Sequence, residues 1–106
     1  AKGRFFGIDL TDGKIHVRVL ESIEQFRQEG EAMHHCVFTN EYYRRDDSLI
    51  LSATMDGKRL ETVEVSLSRL KVAQSRGVCN EDSPYHKQII KLVQHNIHLI
   101  ENRLTA

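Results

Sequence analysis

The sequence predicts an α+β domain built on an antiparallel sheet, with elements in the order ββ-α-βββ-α. Three observations lead there. Asp12-Gly13 and Asp56-Gly57 each separate two β-rich runs; Asp-Gly between such runs is a hairpin signal, because a tight turn needs residues that tolerate positive φ. Strands outnumber helices and their connections are short, which favours antiparallel neighbours. Finally, Ile89, Ile90, Val93, Ile97, Ile100 and Leu104 recur at helical spacing after Ser83-Pro84, which predicts one long C-terminal helix lying on the sheet.

Taken in order, Phe5 to Leu10 and Ile15 to Leu20 form the first hairpin. Ile15, Val17 and Val19 alternate with His16 and Arg18, so one face should be buried and the other wet. Ser22 with Gln25 completes a capping-box pattern that opens a helix. Gly30 should end or kink that helix. A helical or irregular segment follows from Glu31 to about Tyr43, then a loop at Arg44 to Ser48. Strands are expected at Leu49 to Met55, Arg59 to Leu67 and Leu70 to Ser75. Arg76-Gly77-Val78-Cys79-Asn80 reads as a loop that brings Cys79 back toward the sheet. Ser83 caps the last helix and Pro84 takes its first turn. Fully burying each aliphatic side chain of that helix contributes roughly 1.5–3 kcal/mol before entropy is subtracted.

Length and composition bound the answer. The 106 residues suit a single domain spanning 1–106. The chain begins at Ala1 without Met, as a piece of a larger protein would. At 40% hydrophobic and 28% charged residues it should fold. Lys plus Arg balance Asp plus Glu at 15 each, which argues against binding nucleic acid by net charge. No run approaches the roughly 20 apolar residues that span a bilayer, and no signal-peptide pattern is present. Two cysteines do not make a secreted disulfide framework. A cytoplasmic setting follows, with one Cys36–Cys79 disulfide left open.

The densest chemistry lies in Glu29-Gly30-Glu31-Ala32-Met33-His34-His35-Cys36-Val37. A thiol beside an imidazole can become a thiolate nucleophile. The partner of Cys36 is His34, His35, His16 or His86, or Cys36 is simply a small buried hydrophobe. Cys36, Cys79 and His34 or His35 suit zinc by softness, though the close Cys-x-x-Cys pairs of strong zinc motifs are missing. Thr62 and Glu64 should face away from Val63, Val65 and Leu67, toward the Gly30 to Val37 segment or toward water. Gln74 shares the Glu64 face only if the intervening turn has three residues rather than two. His95 and His98, three apart on the last helix, read as a solvated face. Tyr42, Tyr43, Arg44 and Arg45 read as a surface loop or as a nucleic-acid contact.

The ordered set Glu29 to Val37, then Thr62-Val63-Glu64, then Gln74 to Asn80 resembles the PcfJ-like family, over about Leu20 to Asn80. An aromatic that the family places after the His-Cys-Val run corresponds to Tyr42 or Tyr43. The resemblance implies a bacterial intracellular domain of phage or conjugative-plasmid mobile elements. It supplies neither mechanism nor cofactor. It points to a site of His35, Cys36, Glu64, Gln74 and Asn80.

Two functions from different classes follow. One is a small polar pocket, formed by those five residues, for ligand binding or catalysis. The other is a non-catalytic module contacting DNA or another mobile-element protein, with a patch from Arg44, Arg45, Arg69, Lys71 or Arg76. A purely structural role, with His35 tying the central segment to the strands, is the third reading.

Overall fold

The computed structural model describes residues 2–35 and 44–106. Strands β1 (Asp9–Thr11), β2 (Ile15–Val19), β3 (Ser48–Met55), β4 (Lys58–Ser66) and β5 (Lys71–Arg76) form one sheet in sequence order. Every neighbouring pair is antiparallel. Helix α1 (Ile23–Met33) joins the first hairpin to the other three strands, and α2 (His86–His95) and α3 (Ile97–Leu104) follow β5. The expected α+β class and antiparallel sheet are therefore present. Among the described residues no helix is long and apolar enough to cross a membrane.

The two sheet faces differ in chemistry. Leu10, Val17, Leu49, Leu51, Val63 and Val65 bury on one face beneath Ile89, Leu92, Val93 and Ile100 of α2 and α3. Ser52, Thr62 and Glu64 bury on the other face, toward α1. Phe26 and Met33 of α1 are buried as well.

Two bulges set which side chain goes to which face. In β4, Thr54 opposes Arg59 and Ala53 opposes Glu61, leaving Leu60 as the extra residue. Strict alternation would put Arg59 on the Glu61 side; the extra residue turns it toward Thr62 and leaves Leu60 in the core. In β5, Val65 opposes Val72 and Glu64 opposes Gln74, leaving Ala73 extra. Near the turn the register is the one a two-residue turn produces. Ala73 then advances it by one, so Val72 and Gln74 face opposite ways. Gln74 reaches the Glu64 face by a bulge, not by a three-residue loop.

Both hairpin turns form as expected. Asp56 and Gly57 both have positive φ, at 52° and 76°, as the tight primed turn requires. The Asp12 carboxylate accepts the Lys14 and Ile15 amides at 2.9 Å each. At α1, the Ser22 hydroxyl accepts the Gln25 amide at 3.1 Å, and the Gln25 side chain accepts the Glu21 amide at 2.8 Å. The hydroxyl half of the capping box forms as expected, while the Gln25 side chain reaches the residue before the cap instead of the cap itself.

Four boundaries depart from expectation. The first strand, expected from Phe5, begins only at Asp9, and Lys2–Phe5 is a 3₁₀ turn; Phe5 buries in the core while Arg103 donates to the Arg4 and Phe6 carbonyls. Helix α1 runs through Gly30 and stops at His34, which adopts the left-handed conformation (φ 58°, ψ 40°). The His35 amide then closes on the Gly30 carbonyl at 3.2 Å, a Schellman-type ending. The long C-terminal helix is two helices. The Asn96 side chain takes the Leu92 carbonyl at 2.9 Å, the acceptor its own backbone amide would have used. His95 and His98 thus belong to different helices. Cys79 (φ 57°) is exposed and does not return to the sheet.

Gly77 earns its place by size. A Cβ there would lie 2.5 Å from the Glu81 carbonyl oxygen, which itself accepts the Gly77 amide at 2.7 Å. Backbone must shift to relieve that contact. Gly77→Ala should therefore destabilise the fold by about 1–3 kcal/mol, measured by chemical denaturation; an unchanged midpoint would refute the close approach.

Candidate functional site

The ending of α1 delivers His35 onto β4. The left-handed turn at His34 reverses the chain, and the His35 imidazole is buried with Nε2 at 2.9 Å from the Thr62 hydroxyl. That hydroxyl donates its single proton to Oε2 of Glu29 at 2.5 Å. It can then only accept from His35, which places the proton on Nε2. Glu29 is fully enclosed; its Oε1 also accepts from the Ser52 hydroxyl at 2.8 Å and from Arg59 Nε at 2.9 Å. A chain Glu29–Thr62–His35 thus runs from helix to sheet to loop.

Burial lowers the His35 pKa below its ordinary 6.5, against opposing hydrogen-bond contributions from the Gly77 backbone and the Asn80 side chain. His35 is held neutral at neutral pH. Asn80, exposed and left-handed at φ 64°, is the link between this ring and the loop after β5.

Two residues along β4, on the same face, Oε1 of Glu64 accepts from Gln74 Nε2 at 2.8 Å, and Oε2 accepts from the Ser48 hydroxyl. Arg76 Nε in turn donates to the Gln74 carbonyl oxygen at 3.2 Å. Glu64 forms part of the wall of an open cleft of about 560 Å³, together with Arg45, Ser68, Arg69 and Lys71. Five residues were expected at one site. His35 and Asn80 meet, and Glu64 and Gln74 meet. His35, Gln74 and Asn80 do not line the Glu64 cleft. Cys36 lies outside the described residues, as do Tyr42 and Tyr43. Among the described residues no group of three or more His, Cys, Asp or Glu side chains converges to hold a metal ion. His16, one suggested partner for the thiol, is bonded to Asp9 at 2.9 Å.

Sequence reasoning missed Glu29 as a network centre, and Glu61 with His86. The signal for Glu29 was available: it lies three residues after Phe26 and four before Met33, on the stripe that α1 buries. Glu61 offered less, because the Leu60 bulge interrupts the alternation that would have placed it. Glu61 is fully buried on the α2 side of the sheet.

A family model described as PcfJ-like protein matches residues 1–90. The chain belongs to the PcfJ-like family. The match takes in β1 through β5, α1 and the start of α2, and so every residue of both carboxylate networks. No curated protein and no solved structure matches the chain.

Two outcomes follow for this PcfJ-like fold. Glu29→Ala strands the Ser52 and Thr62 hydroxyls against a buried face, and should cost about 3 kcal/mol in a denaturation measurement; a loss under about 0.5 kcal/mol would mean the network is incidental. The second concerns pH. Because the folded pKa of His35 is lowered, the unfolded chain takes up a proton near 6.5 that the folded chain refuses. The His35 contribution is therefore complete above that pH and is lost as pH falls from there toward the folded value. Stability of the wild type should fall more steeply than that of His35→Asn between about pH 7 and about pH 5, and parallel curves would contradict the assignment.

Proposed function

We propose that this PcfJ-like domain carries a small polar pocket, for ligand binding or catalysis, on the α1 side of its sheet, drawing on two groups, His35 with Asn80 and Glu64 with Gln74, and on Cys36. The observation that carries the reading is the oriented imidazole. His35 is kept neutral by burial, with its Nε2 proton assigned by a hydroxyl that a buried carboxylate has already claimed. That is the arrangement by which a third group positions an acid–base residue. Glu64, anchored by Gln74 and Ser48, supplies a second fixed carboxylate on the same sheet face. Polar groups so enclosed are less stabilising than apolar packing would be, which is expected where function selects them. The family resemblance supports a setting in a bacterial mobile-element protein.

A second reading has its own support. Arg45, Arg69 and Lys71 share the wall of the Glu64 cleft with Asp47, a local excess of positive charge of the kind that contacts a DNA backbone.

Amide chemical-shift titration with ATP, NAD and a short single-stranded DNA tests both. Shifts gathered at His35, Glu64, Gln74 and Asn80, lost in Glu64→Gln, are the outcome for a pocket. Shifts by DNA alone, gathered at Arg45, Arg69 and Lys71 and weakened by salt, would favour the binding module and overturn the pocket.

A further inference from the structure

The opposite face of β4 carries a second carboxylate–imidazole pair, remote in role from the pocket above. Glu61 is fully buried, and it accepts from the Ser75 hydroxyl, from the Ser83 amide at 2.8 Å, and from His86 Nδ1 at 2.9 Å. Those donors hold its carboxyl below the usual range, against a burial effect that is the largest single contribution and pushes it up. An ionised carboxylate only accepts, so Nδ1 of His86 carries the proton. In the neutral ring, Nε2 then holds a lone pair. That nitrogen has no hydrogen-bond partner among the described residues, and the His86 side chain is 24% exposed.

The exposed side of His86 belongs to a cleft of about 520 Å³ between β5 and α2. Its size lies within the range of small-molecule sites. Lys71 and Arg76 stand at the two ends of β5; both pair with residues of the α1-facing side of β4, Ser66 and Thr62, so they border the cleft around the edge of the sheet, and Val72 and Ile90 contribute apolar surface. Asp82 is the one opposing charge in the cleft; it is 68% exposed and lies 3.6 Å from His86 Nδ1. Gln94 reaches across to accept the Val72 amide at 2.7 Å, so one outward group of the β5 edge is already taken. That disfavours an added strand and favours a compact ligand.

We propose that the β5–α2 cleft binds a small phosphorylated molecule bearing a free hydroxyl, of the nucleotide or sugar-phosphate class. The hydroxyl donates to Nε2 of His86, which Glu61 orients from behind, and the phosphate is held by Lys71 or Arg76. Ser75 and Ser83 are positioning residues that keep Glu61 in place.

The test uses AMP, ribose 5-phosphate and inorganic phosphate as probes, with the His86 ring nitrogens and backbone amides followed by NMR. AMP or ribose 5-phosphate should shift His86 Nε2 and the amides of residues 71–76, and the Lys71→Gln, Arg76→Gln double variant should weaken binding at least about tenfold, or roughly 1.4 kcal/mol. Both cations are exposed and, among the described residues, only the surface bond from Arg76 to Gln74 is lost, so this variant should stay folded, which its melting curve checks. Glu61→Gln reads positioning: provided its melt shows a folded protein, it should alter the His86 tautomer signature and weaken binding. Saturation with no change at His86, equal response to inorganic phosphate alone, or binding indifferent to the double variant would each overturn the proposal. Shifts at His35 and Glu64 instead would overturn it while leaving the pocket of the previous section standing.

Discussion

The Thr62 hydroxyl ties together three parts of the chain that are far apart in sequence. It donates to Glu29 on α1, accepts from His35 beyond the end of that helix, and itself projects from β4. Helix α1 has few apolar residues to bury, chiefly Phe26 and Met33. Its docking on the sheet therefore leans on directed bonds more than on area. Directed bonds have a single acceptable geometry, and a buried carboxylate without its donors is costly. The position of His35 follows from that geometry rather than from the local loop.

Strand β4 makes this arrangement possible because it carries carboxylates to both faces. Glu64 goes with Thr62 toward α1, and Glu61 goes with Val63 toward α2. Strict alternation would already separate these two. It would not bring Arg59 to the Glu29 side or Gln74 to the Glu64 side. The Leu60 and Ala73 bulges do that, each by adding one residue to one strand. The register is thus tuned at the cost of two ladder interruptions, and both lie beside the polar networks.

Much of this was legible in the chain. The two Asp-Gly turns, the Ser22 cap and the alternation of Ile15, Val17 and Val19 each state a local geometry, and each formed. What stayed hidden depends on competition between residues distant in sequence. Gly30 is a good helix terminator in isolation, yet the stop falls at His34, where the Schellman closure and the Thr62 bond coincide. Asn96 lies inside an apolar periodicity that looks continuous, and only its side-chain bond to the Leu92 carbonyl breaks the helix. Gln74 could not be assigned a face by counting, since counting assumes no bulge. His35 and Glu64 were legible as candidates because polar residues in those positions are unexpected. Glu61 and His86 were not, because their pairing spans 25 residues and the strand pattern at Leu60 is broken.

The two carboxylate–imidazole arrangements differ in a way that bears on what each can do. Glu61 touches its imidazole directly, through Nδ1, and the ring borders an open cleft. Glu29 touches its imidazole through a neutral hydroxyl, at Nε2, and the ring is enclosed. Direct contact lets the carboxylate fix the ring's tautomer itself, whereas an intervening hydroxyl passes on orientation with much less of the field. Burial then disfavours charge on His35 further. The first arrangement suits an imidazole that exchanges with a visiting ligand. The second suits one that holds a fixed tautomer within the fold.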